Sequence, residues 1–564
     1  MEFENVLNRL GKFGFFQKRV CVMLFFAGIP NAFPNIMFTY TQYQPKFHCA
    51  VPPTFGNVSK NSTEYEQLLN LTVPWESDGL GGMRRSECEM FDMASYNQTN
   101  SSFSWEPKKI PCTNGWEYEN MDTVTSEFDL VCKGSWKPPF VITLYMIGMA
   151  LAAFSGILSD KFGRRPVFLF FTFGQFLMTG LTGFSWNFES YAISTLVVGF
   201  FGLVNYVVSY VFATEMMGVK RQLMVGMLCC IAYSVGYTMS PILGYFFPSW
   251  RWYLRSNAIL GLFYLPLLWF FPESLRWLMV SGREKEAKQL LKYIADTNGK
   301  SIDVDDIYNE FNIALEEAKR SKRTLMSKKH IDMKKESNYL HLLKNPTMRL
   351  RCAVLCLSWF VTSLVYFAIS LNPSQLSGDR LMNIFLSGIV ELPSFVVSFI
   401  LPDKIGRIRT LFFFLVTSGS CCVISPFLRA DYPIVTTVLV LTGKCAITGV
   451  FNVVYLLASE ISPTLVRTTS LGVASVCARI GGITMPYLMF VGENDQIRYV
   501  PFVVMGSLAL VTAVFNILFM PETAGVPMPN TINEAVENKR IFGINICRKF
   551  EDTEPEEEEK LQLA

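Results

Sequence analysis

The chain has 564 residues, of which 50% are apolar and only 17% charged, with a net charge of +3 and a mean hydropathy of +0.28. Soluble domains carry roughly 25% charged residues, so this composition excludes an ordinary water-soluble protein. The small net charge gives no footing for nucleic acid, and the three histidines (His48, His330, His341) are too scattered for a metal site.

Crossing a bilayer takes about 20 apolar residues. Twelve stretches meet that need in chain order: about 20–40, 139–159, 166–184, 190–213, 223–246, 256–271, 351–371, 381–401, 410–427, 433–458, 469–491 and 498–520. The first is long and lacks a small-residue cleavage site, so it reads as a retained span and not a signal peptide. The predicted class is an all-α membrane protein of twelve transmembrane helices in two six-helix halves. Its predicted parts are an N-terminal half (1–271), a linker (272–350), a C-terminal half (351–520) and a tail (521–564).

Basic residues in short loops set orientation. Lys12, Lys18, Arg19, Lys161, Arg164, Arg165, Lys220, Arg221, Lys404, Arg407, Arg409 and Arg467 fall on one side, which is assigned to the cytoplasm along with both termini. Arg251 and Arg255 dissent. Residues 44–138 then lie outside. They hold five glycosylation sequons, at Asn57, Asn61, Asn70, Asn97 and Asn100, and four cysteines, Cys49, Cys88, Cys112 and Cys132. In an oxidising compartment these imply two disulfides with three connectivities open. A folded outer domain for homo-oligomerisation or trafficking and a simple cap over the outer mouth explain this loop equally well. The inner segment 272–350 reads as a solvated linker, with a basic stretch at Lys319–Lys335 suited to anionic lipid. The Glu-rich tail from Glu554 reads as disordered.

A charged turn occurs twice, 243 positions apart: Gly156-Ile-Leu-Ser-Asp160-Lys-Phe-Gly163-Arg164-Arg165 and Phe399-Ile-Leu-Pro-Asp403-Lys-Ile-Gly406-Arg407-Ile408. Two more pairs keep nearly that register: Glu215 with Glu460, and Pro272-Glu273-Ser274 with Pro521-Glu522-Thr523. The chain is therefore read as a duplication. Asp160 and Asp403 suit helix-end N–H groups or an Arg, and Glu215 and Glu460 are the natural partners of Arg164 and Arg407. Arg165 has only Ile408 as its counterpart, which makes the second copy the weaker one.

Ionisable groups at membrane depth are functional candidates by default. Arg479, Glu391 and Lys444 stand out. Arg479 is suited to bind a carboxylate bidentately; a silent ion pair with Glu391 is the plainer alternative.

The repeated Gly-x-x-x-Asp-x-x-Gly-Arg turn resembles the signature of the major facilitator superfamily. Within it the chain looks like the organic ion transporter family, and most like its organic cation/carnitine branch, on the glycosylated first outer loop, Pro272-Glu-Ser-Leu-Arg276-Trp277-Leu, Glu460-Ile-Ser-Pro-Thr-Leu-Val-Arg467, Ile29-Pro-Asn31 and Val204-Asn205-Tyr206-Val207. The resemblance implies a multi-pass plasma-membrane carrier working by alternating access, not an enzyme. Asp160, Arg164, Glu215, Asp403, Arg407 and Glu460 would then hold the halves closed on the cytoplasmic side. Family carriers of anions and zwitterions have Arg where Arg479 stands, so a carboxylate-bearing zwitterion such as carnitine or a betaine is expected. An organic anion exchanger, a cation carrier and a transport-silent receptor are the alternatives. Aromatic faces hold quaternary ammonium groups, and Tyr206, Trp359, Tyr366, Phe451 and Tyr455 match aromatic positions of the branch, with Gln175 and Asn205 adding polar contacts. Asn31 and Asn205 match positions linked with sodium there. Gly202 departs from the expected amide side chain, so sodium coupling, exchange and facilitated diffusion all stay open. The resemblance names no organic cofactor.

Overall fold

The computed structural model describes residues 6–7, 9–11, 13–52, 62–77, 82–92, 108–119, 122–152, 155–217, 219–269, 271–313, 315–316, 344–372, 376, 378–463, 466–492, 497–526, 528–529 and 532–537. Long helices dominate. The N-terminal half holds α1 (Phe15–Asn31), α2 (Lys137–Leu151), α3 (Arg164–Thr182), α4 (Phe188–Glu215), α5 (Val219–Phe246) and α6 (Trp250–Trp269). The C-terminal half holds α7 (Pro346–Leu371), α8 (Arg380–Ile405), α9 (Arg407–Leu428), α10 (Pro433–Ile461), α11 (Arg467–Val491) and α12 (Val500–Phe519). Helices are what an apolar run must form in lipid, because each backbone N–H is satisfied within the segment. Side-chain oxygens start several of them: Asn187 accepts from Ser190 N at 2.8 Å, Asn345 from Thr347 N at 3.0 Å, and Asp379 from Met382 N at 2.9 Å.

Among the described residues, nine helical spans are long and apolar enough to cross a membrane. The other three predicted spans correspond to α2, α3 and α6. α2 has only 15 residues, followed by a separate helix at Ser155–Phe162. α6 begins at Trp250, not near 256 as expected. Its first two turns carry Arg251 and Arg255, the two basic residues that dissent from the orientation. Both are satisfied: Arg251 pairs with Glu127 of the large loop 44–138, and Arg255 donates to Gly183 O at 3.0 Å.

The halves repeat one packing scheme. In the N-terminal half α3 packs on α4 and α6, α2 on α4, and α1 on α5; in the C-terminal half α9 packs on α10 and α12, α8 on α10, and α7 on α11. Each contact maps onto its counterpart six helices later. The halves meet along α5 with α8 and α2 with α11. Gly388 makes the first approach close, since a side chain there would stand 2.7 Å from Thr238 N.

Among the described residues, strands occur only in the large loop. Three two-stranded antiparallel sheets pair β1 (Phe47–Cys49) with β6 (Trp116–Tyr118), β2 (Trp75–Ser77) with β3 (Met83–Arg85), and β4 (Glu89–Phe91) with β5 (Lys109–Pro111). Cys49 is bonded to Cys112 and Cys88 to Cys132. Asn70 is exposed on the helix Thr63–Thr72, while Asn57, Asn61, Asn97 and Asn100 lie outside the described residues.

The described part of the segment after α6 packs on the N-terminal half, where a solvated linker is expected. Helix Glu284–Thr297 buries Ala287, Leu291, Ile294 and Ala295 against Leu10, Phe16 and Val20. Asn298 fixes the docking: it accepts from Phe16 N at 3.0 Å and donates to Leu10 O at 2.8 Å. Sequence periodicity marks an apolar face but not what covers it. The basic stretch Lys319–Lys335 and the acidic tail lie outside the described residues.

Candidate functional site

Each charged turn is built around a glycine in left-handed backbone, Gly163 at φ 103° and Gly406 at φ 99°. A side chain on either would sit 2.5 Å from a carboxylate oxygen, of Glu273 and Glu522 respectively. Those carboxylates cap the helix that follows. Glu273 accepts from the N–H groups of Arg164 at 2.9 Å and Arg165 at 3.1 Å; Glu522 accepts from Arg407 at 2.8 Å and Ile408 at 3.1 Å. A helix N-terminus favours an anion in this place. Burial pushes the Glu273 carboxyl above its ordinary range, opposed by the N–H groups of Ser274, Arg165 and Arg164.

The arginine side chains then reach sideways. Arg164 grips Glu215 with two bonds of 2.8 and 3.0 Å, Asp160 with one of 2.8 Å, and Ser159 O at 3.0 Å. Arg407 meets Asp403 at 2.9 Å and Pro402 O at 3.0 Å, but Glu460 only at 3.4 Å. Ser274 and Thr523 donate to Glu215 and Glu460 at 2.6 and 2.5 Å. Arg164–Glu215 joins α3 to α4, and Arg407–Glu460 joins α9 to α10, so neither pair bridges the halves as a latch between them would. They fasten helices within one half. Sequence reasoning paired Glu273 with Glu522 by register but gave them no role; their shared offset with the glycine turn was the available signal.

The membrane-depth charges lie at the seam between halves. Glu391 and Lys444 are fully buried and pair at 3.3 Å. Glu391 also accepts from Ser234 at 2.6 Å and Tyr366 at 2.9 Å, and Lys444 donates to Tyr237 and Ser370 at 2.9 Å each. Ser234 and Tyr237 belong to α5 of the opposite half. The alternative of a Glu391–Arg479 pair is therefore wrong: Lys444, from α10 packed on α8, takes the carboxylate. Arg479 instead points to α2, where Nη1 meets Met149 Sδ at 3.9 Å. Among the described residues no carboxylate lies within ion-pair distance of it, and its Nε is buried without an acceptor.

Four of the five predicted aromatics gather between α7 and α10. Trp359 stands edge-on to Tyr455 with centroids 4.3 Å apart and to Phe451 at 6.1 Å; Tyr366 meets Phe451 at 5.4 Å. Tyr455 is 51% exposed, so the cluster stays open to a ligand. Tyr206 lies on α4 and its hydroxyl faces Cys230 of α5 at 3.8 Å. Gln175, Asn31 and Asn205 bond to one another: Gln175 donates to Asn31 at 2.7 Å, Asn205 to Gln175 at 2.6 Å, and Thr172 to Asn205 at 2.9 Å. Each of the three amide oxygens thus accepts one hydrogen bond within this network.

The sugar (and other) transporter family matches residues 100–533. The human organic cation/carnitine transporter 2 is 32% identical over 555 residues, covering 95% of this chain and 94% of that protein. The chain belongs to the organic ion transporter family. It is thus a major facilitator transporter and not an enzyme. The mouse solute carrier family 22 member 4 is 30% identical, covering 94% of each chain, and the organic cation transporter protein of Drosophila melanogaster is 29% identical, covering 95% and 94%. Among solved structures, the inward-open xylose transporter XylE of E. coli has a TM-score of 0.55 at 15% identity, covering 73% of this chain and 93% of that one. XylE bound to 6-bromo-6-deoxy-D-glucose has a TM-score of 0.51 at 16% identity, covering 72% and 90%. At these identities the likeness to XylE is one of fold. The two six-helix halves are those of this superfamily, and the seam between them is where the membrane-depth charges converge.

Proposed function

We propose that this organic ion transporter carries a small carboxylate-bearing substrate, best a zwitterion such as carnitine or a related betaine, across the plasma membrane by alternating access. Both termini face the cytoplasm, and the disulfide-bonded loop faces outside. The observation that carries the substrate class is Arg479: a guanidinium at mid-helix depth, met by one thioether and no carboxylate among the described residues. Such a charge is costly in a membrane unless an anion meets it. Glu391 cannot serve, because Lys444 already neutralises it. A substrate carboxylate can, with the bidentate geometry that Arg favours. The exposed ring of Tyr455, with Phe451 beside it and buried Trp359 edge-on behind, suits a quaternary ammonium group.

The turns make each half a rigid body, so that the halves rock against each other with the seam as their moving surface. Uptake of labelled carnitine, nicotinate and tetraethylammonium into expressing cells tests the reading. Arg479→Ala is expected to lower carboxylate uptake by about 100-fold or more at equal surface level, from two lost charge-assisted bonds. Unchanged carboxylate uptake, or uptake of tetraethylammonium alone, overturns it. The same guanidinium, with no carboxylate beside it among the described residues, favours one second reading, an organic anion carrier, which nicotinate uptake without carnitine uptake would select.

A further inference from the structure

Arg479 belongs to the C-terminal half, yet its contact is with Met149 of the N-terminal half. α2 and α11 pack together across the seam between halves. Next along it, Gly482 leaves room for Met146: a side chain on that glycine would stand 3.0 Å from Met146 Sδ. Met146, Met149 and Ala478 are all buried there. Tyr145 of α2 and Tyr455 of α10 also lie within electrostatic reach of the guanidinium. Arg479 can donate five N–H groups in a planar fork, whereas a thioether is a weak acceptor. The guanidinium is held well below its bonding capacity, and its Nε has no acceptor among the described residues.

We propose that Met149 is a placeholder for the substrate carboxylate on Arg479, so that substrate binding and closure of the α2–α11 seam compete for one guanidinium. The proposal rests on the carboxylate reading above. A ligand shifts a conformational equilibrium only by its difference in affinity for the two states. Here the difference is built in. With the seam closed, Met149 occupies Nη1; with it open, Nη1 is free to join a carboxylate's bidentate pair. Bound substrate therefore stabilises the conformation in which α2 and α11 have parted, and loss of substrate lets Met149 return. Met149 is thereby a positioning residue. It sets how readily Arg479 is surrendered.

Two measurements test this. The first uses no substrate. The pair Met146→Cys/Gly482→Cys reports seam closure through its rate of oxidative cross-linking, read by mass spectrometry of the joined peptides. Met149→Glu supplies a permanent carboxylate to Arg479 across the seam and is expected to raise that rate; adding Arg479→Ala is expected to cancel the rise. The second is uptake at equal surface level. Met149→Glu is expected to transport about 10- to 100-fold less carboxylate than Met149→Gln, which has similar length and no charge. Met149→Leu, which keeps the packing and loses the acceptor, is expected to lower KM by about two- to five-fold. Equal transport by Met149→Glu and Met149→Gln, or a cross-linking rate indifferent to Met149→Glu, overturns the proposal. If Arg479→Ala transports carboxylates normally, the substrate reading falls instead, and the substrate-free cross-linking still decides whether Met149 and Arg479 form a rung of the seam.

Discussion

Replacing Lys444 by Met isolates the buried ion pair. The ammonium has no exposed surface and carries three interactions: Glu391 at 3.3 Å, Tyr237 at 2.9 Å and Ser370 at 2.9 Å. Met keeps the length and apolar bulk but leaves Glu391, also fully buried, with two neutral donors, Ser234 and Tyr366, and no counter-charge. Removing one partner of a buried pair costs about 3–5 kcal/mol, mostly from the stranded charge. The double variant Glu391→Gln/Lys444→Met strands no charge, because the substituted amide is neutral and Ser234 and Tyr366 can still donate to its oxygen. It is expected to be more stable than Lys444→Met alone, with a coupling energy above about 1 kcal/mol. Thermal unfolding of detergent-purified protein, followed by fluorescence-detected size exclusion across the four-member cycle, measures this. If the two single losses simply add, the carboxylate and ammonium do not stabilise one another, and the argument that Lys444 removes Glu391 from substrate binding fails with them.

Gly163→Ala meets both left-handed backbone and the Glu273 carboxylate at 2.5 Å, whereas Gly525→Ala meets the backbone penalty at φ 70° with open space around it. The first is expected to lose more than the penalty of about 1–2 kcal/mol that the second carries, read as thermal stability; equal losses would show that the Glu273 cap is dispensable. Burial raises the Glu127 carboxyl, but the bonds from Arg251 and Trp250 outweigh it and hold it below the ordinary range. A depressed carboxyl stabilises above its unfolded pKa, about 4.3, and loses that contribution as pH falls through the lower folded value. Proteolysis of the outer loop is therefore expected to quicken as pH drops below about 4, and less so in Glu127→Gln; identical acid sensitivity of the two would refute the anchoring role.

The duplication was legible because charge is rare in this chain: Asp160, Arg164, Asp403 and Arg407 stand out against apolar runs, and their register needs no tertiary knowledge. The family followed from the same residues. What the pairs join was not legible. Linear order places Arg164 near α3 and Glu215 at the end of α4 but cannot say whether α4 is a neighbour in the same half or faces across the seam. The start of α6 was missed for a related reason: linear order does not show that Glu127 of the large loop 44–138 pairs with Arg251 there. Glu391 illustrates the limit best. Its partner lies on another helix at a spacing that carries no periodic signal, and Lys444 was chosen over Arg479 by the packing of α8 on α10.

The charges divide by what they fasten. At the turns, Asp, Arg and two Glu residues bond within each half of this structure. At the seam, Glu391 reaches Ser234, Lys444 reaches Tyr237, and Arg479 reaches Met149, each crossing between halves. The first two are strong bonds between satisfied groups, and the third is weak and leaves Arg479 unfilled. A two-state element responds to the contact that a ligand can replace. Of the three crossings, only the Arg479 rung leaves a donor vacant, so it is the one through which a carboxylate would act on the relation between the halves.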